Sequence, residues 1–440
     1  MIVALAAALT AALVALIGGL LLPVDRRRGA ALVVAVAVLV STTSGSAPEV
    51  VRHVAVATVV GLCGAALVSP RSWVIGRPRA TMATSVFFAF SIVCVLVLAP
   101  STIVLMSELA AIGIAISWLV ATSSPRDVTV FVRGLVTLGL VQVALGVVEL
   151  TVTHRPFPFG YKVLATGRSF VSENKILPGG LVRIEGTLGH PIPYAVFLAV
   201  CLVVVLAARG TFPAWFPSVA VVTLSTGILL SGSRSVVVGV LLAVTYVLLT
   251  SEARTRATKI VLVGLVAVAA SAALASEIVQ AVETLLASGS YENRMGALRA
   301  VSGLIGRPAL EAVVGSGFGS EPELYARGLL PQEGFTVVDN QLVTTLATFG
   351  ITGVVLLVAV LVIGFVHASR VGRAVLVVMI VTLFSFDYLV WFSMSAVLWA
   401  FCALDDRSHD GRSGADPSGS DRADDVRGRD ARTLVDSPDR

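Results

Sequence analysis

The chain has 440 residues, 56% of them hydrophobic and only 13% charged, with a mean hydropathy of +0.92. That balance excludes an ordinary soluble domain and identifies an all-α, polytopic membrane protein. The formal net charge of +5 sits largely on arginines in short loops, so it carries no inference of nucleic-acid binding.

A bilayer core of about 30 Å needs roughly 20 apolar residues per helix, and backbone groups in lipid must pair internally. Ile2 to Leu22 reads as an uncleaved first span, since it lacks a basic leader and a small-residue cleavage site. After a turn at Asp25 to Gly29, spans are expected at Ala30–Thr43, Val51–Ser69, Thr84–Leu98, Thr102–Ala121, Thr129–Val152 and Pro191–Ala208. Further spans are expected at Pro213–Leu230, Val236–Thr250, Thr258–Ala275 and Gln341–Val366. The stretch Ala374 to Leu404 carries Asp387 near its middle and suits either one tilted span or a hairpin turning at Phe386 to Tyr388. About 12–13 transmembrane helices result.

Arginines at 26–28, 71, 77, 79, 126, 209, 254, 256, 370 and 373, with Lys259, fall in alternate loops, which places those loops in the cytoplasm. Residues 153–190 and 276–340 then form two large extracytoplasmic loops, the second of them helical. Residues 1–404 make one membrane domain. The tail from 405 to 440 is Asp, Arg, Ser and Gly with few large apolar residues, a composition expected to stay disordered. Cys63, Cys94, Cys201 and Cys402 lie in apolar runs without metal-ligand or disulfide spacing.

Four places on the outer side hold charge where charge is costly. Arg183, Glu185 and His190 lie in a glycine-containing loop just before the Pro191 span, where the reading is either a ligand loop or an arginine reaching headgroups. Arg234 lies in the Ser231–Ser235 break between two spans. At bilayer depth an arginine costs about 2.5–3.5 kcal/mol on insertion scales, and beside a helix N-terminus it makes a phosphate site. The alternative is a capped turn with Arg234 among headgroups. Arg294 opens a helix whose Met295, Leu298, Val301, Leu304 and Ile305 recur at helical spacing, either as part of a site or as a solvated interfacial residue. Asp339, followed by Asn340, stands where the large loop re-enters the membrane; it is either the N-cap of the next span or a proton-accepting carboxylate. Gly315 to Ser320 looks like a phosphate loop but lacks the strand and helix around it, and Ser231–Ser235 is no nucleophile elbow.

The order of these features resembles the O-antigen ligase and polymerase family of bacterial membrane glycosyltransferases. The resemblance rests on Arg183-x-x-Gly186-Thr187, Ser231-Gly-Ser-Arg234 and the Arg294 helix start. It continues through Gly315-Ser-Gly-Phe-Gly319, Asp339-Asn340-Gln341-Leu342 and Phe349-Gly-Ile-Thr-Gly353, and covers roughly Gly180 to Phe365. It implies a metal-independent, inverting transfer with no cofactor, on the extracytoplasmic face of the bacterial cytoplasmic membrane. The donor would be a glycan on polyprenyl pyrophosphate, held by Arg183, Arg234 and Arg294, and the acceptor a second glycan. A chain-length regulator or export machinery is the partner class open to such an enzyme, with no nucleic acid involved. Ligases commonly carry His-Asn where this chain has Asp339-Asn340, which favours a polymerase; Asp339, Glu185 and His190 all remain open as the base. A ligase, or a transporter of lipid-linked sugar, is the alternative.

Overall fold

The computed structural model describes residues 26–44, 47–68, 78–158, 182–250, 289–330 and 338–405, with isolated positions before residue 26 and two short strands within 162–170. The expected spans Ile2–Leu22, for the most part, and Thr258–Ala275, and the tail after residue 405, lie outside the described residues.

Helices dominate. They are α1 (Arg27–Thr42), α2 (Glu49–Leu67), α3 (Arg79–Leu98), α4 (Ile103–Ala121), α5 (Pro125–Val148), α6 (Pro191–Ala207), α7 (Phe216–Ser231) and α8 (Arg234–Leu249). Then follow α9 (Gly289–Ile305), α10 (Ala309–Val314), α11 (Glu321–Ala326), α12 (Gln341–His367), α13 (Arg370–Leu383) and α14 (Phe392–Cys402). Lys162–Val163 (β1) and Ser169–Phe170 (β2) pair antiparallel. The segments holding α2, α3, α4, α5 and α12 are long and apolar enough to cross a membrane. Of the other expected spans, α6, α7, α8 and α14 are shorter, at 17, 16, 16 and 11 residues.

Two of the short helices form the centre. A helix that is apolar on all sides must be buried on all sides. Every residue of α14 is buried, and so is nearly every residue of α6 from Pro191 to Val205. α6 packs against α5, α7, α8 and α13, and α14 against α1, α3, α4, α12 and α13. Around Trp399 of α14 the rings of Phe87 and Phe88 lie at centroid distances of 5.8 and 5.3 Å. The outward faces are apolar as well: Val86, Val93 and Val97 of α3 and Val355, Val358 and Val362 of α12 are exposed. So wide an apolar surface is foreign to a protein bathed in water.

At one end of the bundle, arginines find backbone partners. Arg28 donates to the carbonyls of Thr122 and Ala66, and Arg370 donates to Val247 O at 2.6 Å. Asp127 closes a capping box with Ser124 and accepts from Gly29 N at 3.1 Å. Ala368 bridges Asp405 at this end. The residues between them therefore leave and return: Ala374–Leu404 is a hairpin of two helices, α13 and α14, joined by a non-helical turn at 384–391. The tilted single span is excluded. Gln341 decides the matter physically, because its side-chain carbonyl takes the Leu389 N–H at 2.8 Å and so satisfies a donor that a helix would have used internally.

α12 is itself broken. Gly350 has φ 64° and ψ −166°, a conformation open in practice only to glycine. The break frees the carbonyls of Leu346 and Ala347 from their i+4 donors. Arg307, its side chain fully buried, replaces them: its guanidinium donates to Leu346 O at 2.8 Å and Ala347 O at 3.0 Å, and also to Leu304 O at 2.8 Å. The Gly315–Gly319 loop lies along the break, with Ser316 N and Gly317 N donating to Ala347 O and Thr348 O at 3.0 Å each. Phe318 stacks on Phe349 at 6.1 Å. The two glycine motifs of the sequence are thus halves of one structural unit.

Candidate functional site

At the opposite end, the segment Arg183–His190 runs down onto the N-terminus of α6. Its backbone is held from α5. Gln142 accepts from Thr187 N at 3.1 Å, and Glu149, just beyond α5, accepts from Glu185 N at 3.0 Å and Gly186 N at 2.7 Å. Gly186 and Gly189 take positive φ, 58° and 66°. The glycines therefore shape a fixed loop, and the Glu185 carboxylate is carried on a buried residue.

Arg183 crosses from this loop to the α7–α8 break. Its Nε donates to Ser231 O at 2.6 Å and its Nη2 to Ser233 Oγ at 3.1 Å. Ser233 Oγ in turn donates to Pro191 O at 3.2 Å. Ser233 occupies the N-cap of α8 yet makes no capping bond, because its hydroxyl is engaged with Arg183 and Pro191. The first-turn N–H groups of α8 are thereby left without that acceptor. Arg234, the first residue of α8, is exposed. Burial lowers the Arg183 guanidinium from its ordinary value; nearby Glu185 raises it and the Arg234 charge lowers it again. Two cations are therefore held in electrostatic reach of each other at a helix terminus that favours anions.

The Ser231–Ser235 break leaves both of its expectations standing: Gly232, at φ 63°, caps the C-terminus of α7, while α8 has no side-chain N-cap and Arg234 is exposed. The N-cap open to Asp339 falls to its neighbour: α12 begins at Gln341, and its cap is Asn340, whose Oδ1 accepts from Leu342 N at 3.0 Å and Val343 N at 3.2 Å. Asp339 stands one residue too far out to reach them. Asn340 also donates from Nδ2 to Phe384 O at 3.5 Å, so its amide binds the α12 terminus to the α13–α14 turn. His190 caps α6 by accepting from Ile192 N at 3.3 Å. Its ring lies against Phe386 and Trp391, at 5.6 and 5.7 Å.

A continuous set of contacts thus joins Arg183, Ser233, Pro191, His190, Phe386 and, through the turn, Asp387. Asp387 Oδ1 is shielded from solvent and accepts no hydrogen bond. The charged groups acting on it are Glu321, at the start of α11, and Asp339. The structure brings Arg183, Glu185 and Arg234 together on one side, and His190, Asn340 and Asp339 around the turn on the other. Arg294 lies in α9, with its side chain outside the described residues. Among the described residues no three His, Cys, Asp or Glu side chains are arranged to hold a metal ion.

Sequence reasoning overlooked Glu149, Gln142 and Arg307. A polar residue inside an apolar run was the available signal for the first two. It did single out Asp387, without a role. No family model matches the sequence, and no curated protein matches it.

Proposed function

We propose that the protein is a multi-pass enzyme of the bacterial cytoplasmic membrane that transfers a glycan from polyprenyl pyrophosphate to a growing exported polysaccharide, on the extracytoplasmic side. The observation that carries this reading is the pairing of Arg183 and Arg234 at the uncapped N-terminus of α8. A leaving pyrophosphate is multiply charged, and guanidinium groups with free helix N–H groups can hold it without a metal. They stabilise charge as it develops on the leaving oxygen. Glu185 near Arg183 limits the surplus of positive charge.

An apolar groove supports the reading for the lipid part of such a donor. A wholly apolar groove of about 450 Å³ lies between α12 and α13, lined among others by Leu342, Leu383 and Phe384 at the site end and by Val366 and Val377. A prenyl chain could lie there with its pyrophosphate near the helix termini.

The test is transfer from a polyprenyl-pyrophosphate-linked oligosaccharide by purified protein in nanodiscs, without added metal. The wild type should elongate the glycan, and Arg234→Ala should lose about 10²–10³-fold in kcat, the scale of removing one electrostatic stabiliser. Movement of the lipid across vesicles without glycan elongation would replace the transferase by a transporter.

A further inference from the structure

The turn at 384–391 is an irregular segment held from several sides at the site end. α12 holds it through Gln341 and Asn340, α6 through the His190 ring, and the Thr382 hydroxyl bonds the Tyr388 hydroxyl. At its centre Asp387 is partly exposed as a residue, yet its Oδ1 is shielded and accepts no hydrogen bond. A buried polar atom left without a partner is costly, and where it persists a functional reason is sought. Two donors, the Thr344 hydroxyl and the Leu389 N–H, act on the carboxyl, yet neither makes a hydrogen bond to Oδ1. A proton on Oδ1 would neutralise the charge carried at this shielded position.

We propose that Asp387 accepts the proton of the attacking hydroxyl in glycan transfer. The proposal rests on the transferase reading above. In the step, the acceptor hydroxyl oxygen forms a bond to the anomeric carbon while its proton passes to the Asp387 carboxylate. The bond from that carbon to the pyrophosphate oxygen breaks, and its electron pair leaves on polyprenyl pyrophosphate at the Arg183–Arg234 site. The anomeric configuration inverts. Asp387 then returns the proton to water.

The surroundings suit a base that must be ionised before the step and neutral after it. Facing the carboxyl are Glu321 from α11, Asp339 ahead of α12, the Thr344 hydroxyl and the Leu389 N–H, with His190 across the Phe386 ring. Burial pushes the carboxyl up to about 7, and Glu321 and Asp339 push the same way while the Thr344 and Leu389 donors oppose them. A base is most effective when its pKa lies near the working pH.

The experiment is the pH dependence of kcat for the full chain in nanodiscs. The donor is a polyprenyl-pyrophosphate oligosaccharide, and the wild type is compared with Asp387→Asn, Asp387→Glu, Asp339→Asn and Glu321→Gln. The wild type should lose activity as pH falls through about 7. Asp387→Asn, which mimics the protonated form and should fold, is expected to lose about 10²–10⁴ in kcat and to abolish the acid limb. Asp387→Glu should keep the limb at reduced rate. Asp339→Asn and Glu321→Gln should move its midpoint to lower pH, since each removes a like charge. An infrared carboxyl band titrating near neutrality in the wild type and missing from Asp387→Asn supports the proposal without reference to turnover, and its absence overturns it. An active wild type with Asp387→Asn within about threefold of it and an unaltered limb overturns the proposal alone. A wild type that binds the donor and forms no product removes the transferase reading and this assignment together.

Discussion

Two arginines anchor two breaks in helical structure, and they do so in opposite ways. At the Gly350 break every direction of Arg307 has a partner: three backbone carbonyls, the Ser316 hydroxyl at 2.6 Å, and Glu311 at 3.6 Å. At the α7–α8 break Arg183 engages a carbonyl and a hydroxyl, takes the natural cap of α8 out of service, and lies beside a second cation with an exposed side chain. The first break is closed by its arginine. The second is kept open by one. A satisfied buried charge holds structure, whereas charge and helix N–H groups without an acceptor are a site for an anion.

Substitutions can break that comparison, and the largest effect should come at the closed break. Arg307→Ala takes the guanidinium from Leu346 O and leaves Ala347 O with Ser316 N alone, and it empties a buried site, which should cost about 3 kcal/mol or more in thermal unfolding and abolish activity only by way of folding. Gly350→Ala forces an alanine into a glycine-only conformation and should cost about 1–3 kcal/mol, read in the same unfolding experiment. If Gly350→Ala melts like the wild type, the closed break is not the structural joint described above.

Asn340→Ala tests the junction between the two regions. It removes a helix cap worth about 1 kcal/mol and releases the 384–391 turn, so it should lower stability slightly and activity more. Arg234→Ala is the counterpart at the open break: no change in melting temperature is expected, together with loss of inorganic pyrophosphate binding measured by calorimetry. A stability loss equal to that of Arg307→Ala would show that the open break is structural after all.

The smallest effect belongs to the rim of the closed break. Two hydrogen bonds from Arg327, at 2.7 and 3.0 Å, followed by the Ser316 hydroxyl, hold the Glu311 carboxyl well down, from 4.5 to about 2, against a partial desolvation that raises it. A depressed carboxyl stabilises the fold above its unfolded pKa and ceases to do so as pH falls through the folded one. Stability should therefore decline between about pH 4.5 and 2, and acid unfolding of Glu311→Gln should lack that component.

Much of the fold was legible because hydropathy and helix signals act locally. Arg27–Thr42, Ile103–Ala121, Pro191–Ala207 and Gln341–His367 fall close to the boundaries expected from apolar runs and their flanking Pro, Ser and Asn residues. The cluster of Arg183 with Arg234 was half legible. Each arginine was conspicuous as charge beside an apolar run, but their meeting depends on residues 48 and 50 positions away, Ser231 and Ser233. Asp339 stayed open between cap and base because either member of Asp-Asn can cap a helix, and only the onset of helical geometry at Gln341 gives the cap to Asn340. Arg307 gave no local sign of its role, since its acceptors, 39 and 40 residues on, exist only after Gly350 breaks α12.

Alone, then, the order of residues determined the helical class, most helix positions, and the concentration of unusual charge at a few loops. These follow from transfer energies and capping preferences that each segment carries with it. The tertiary structure decided which carbonyls lose their helical donors, which arginine is consumed in replacing them, that Ser233 is drawn away from capping α8, and that Ala374–Leu404 turns back with Asp387 at its bend. Those outcomes depend on hydrogen-bond partners far apart in the chain, and a buried polar group has no settled partner until the fold has brought its neighbours into place.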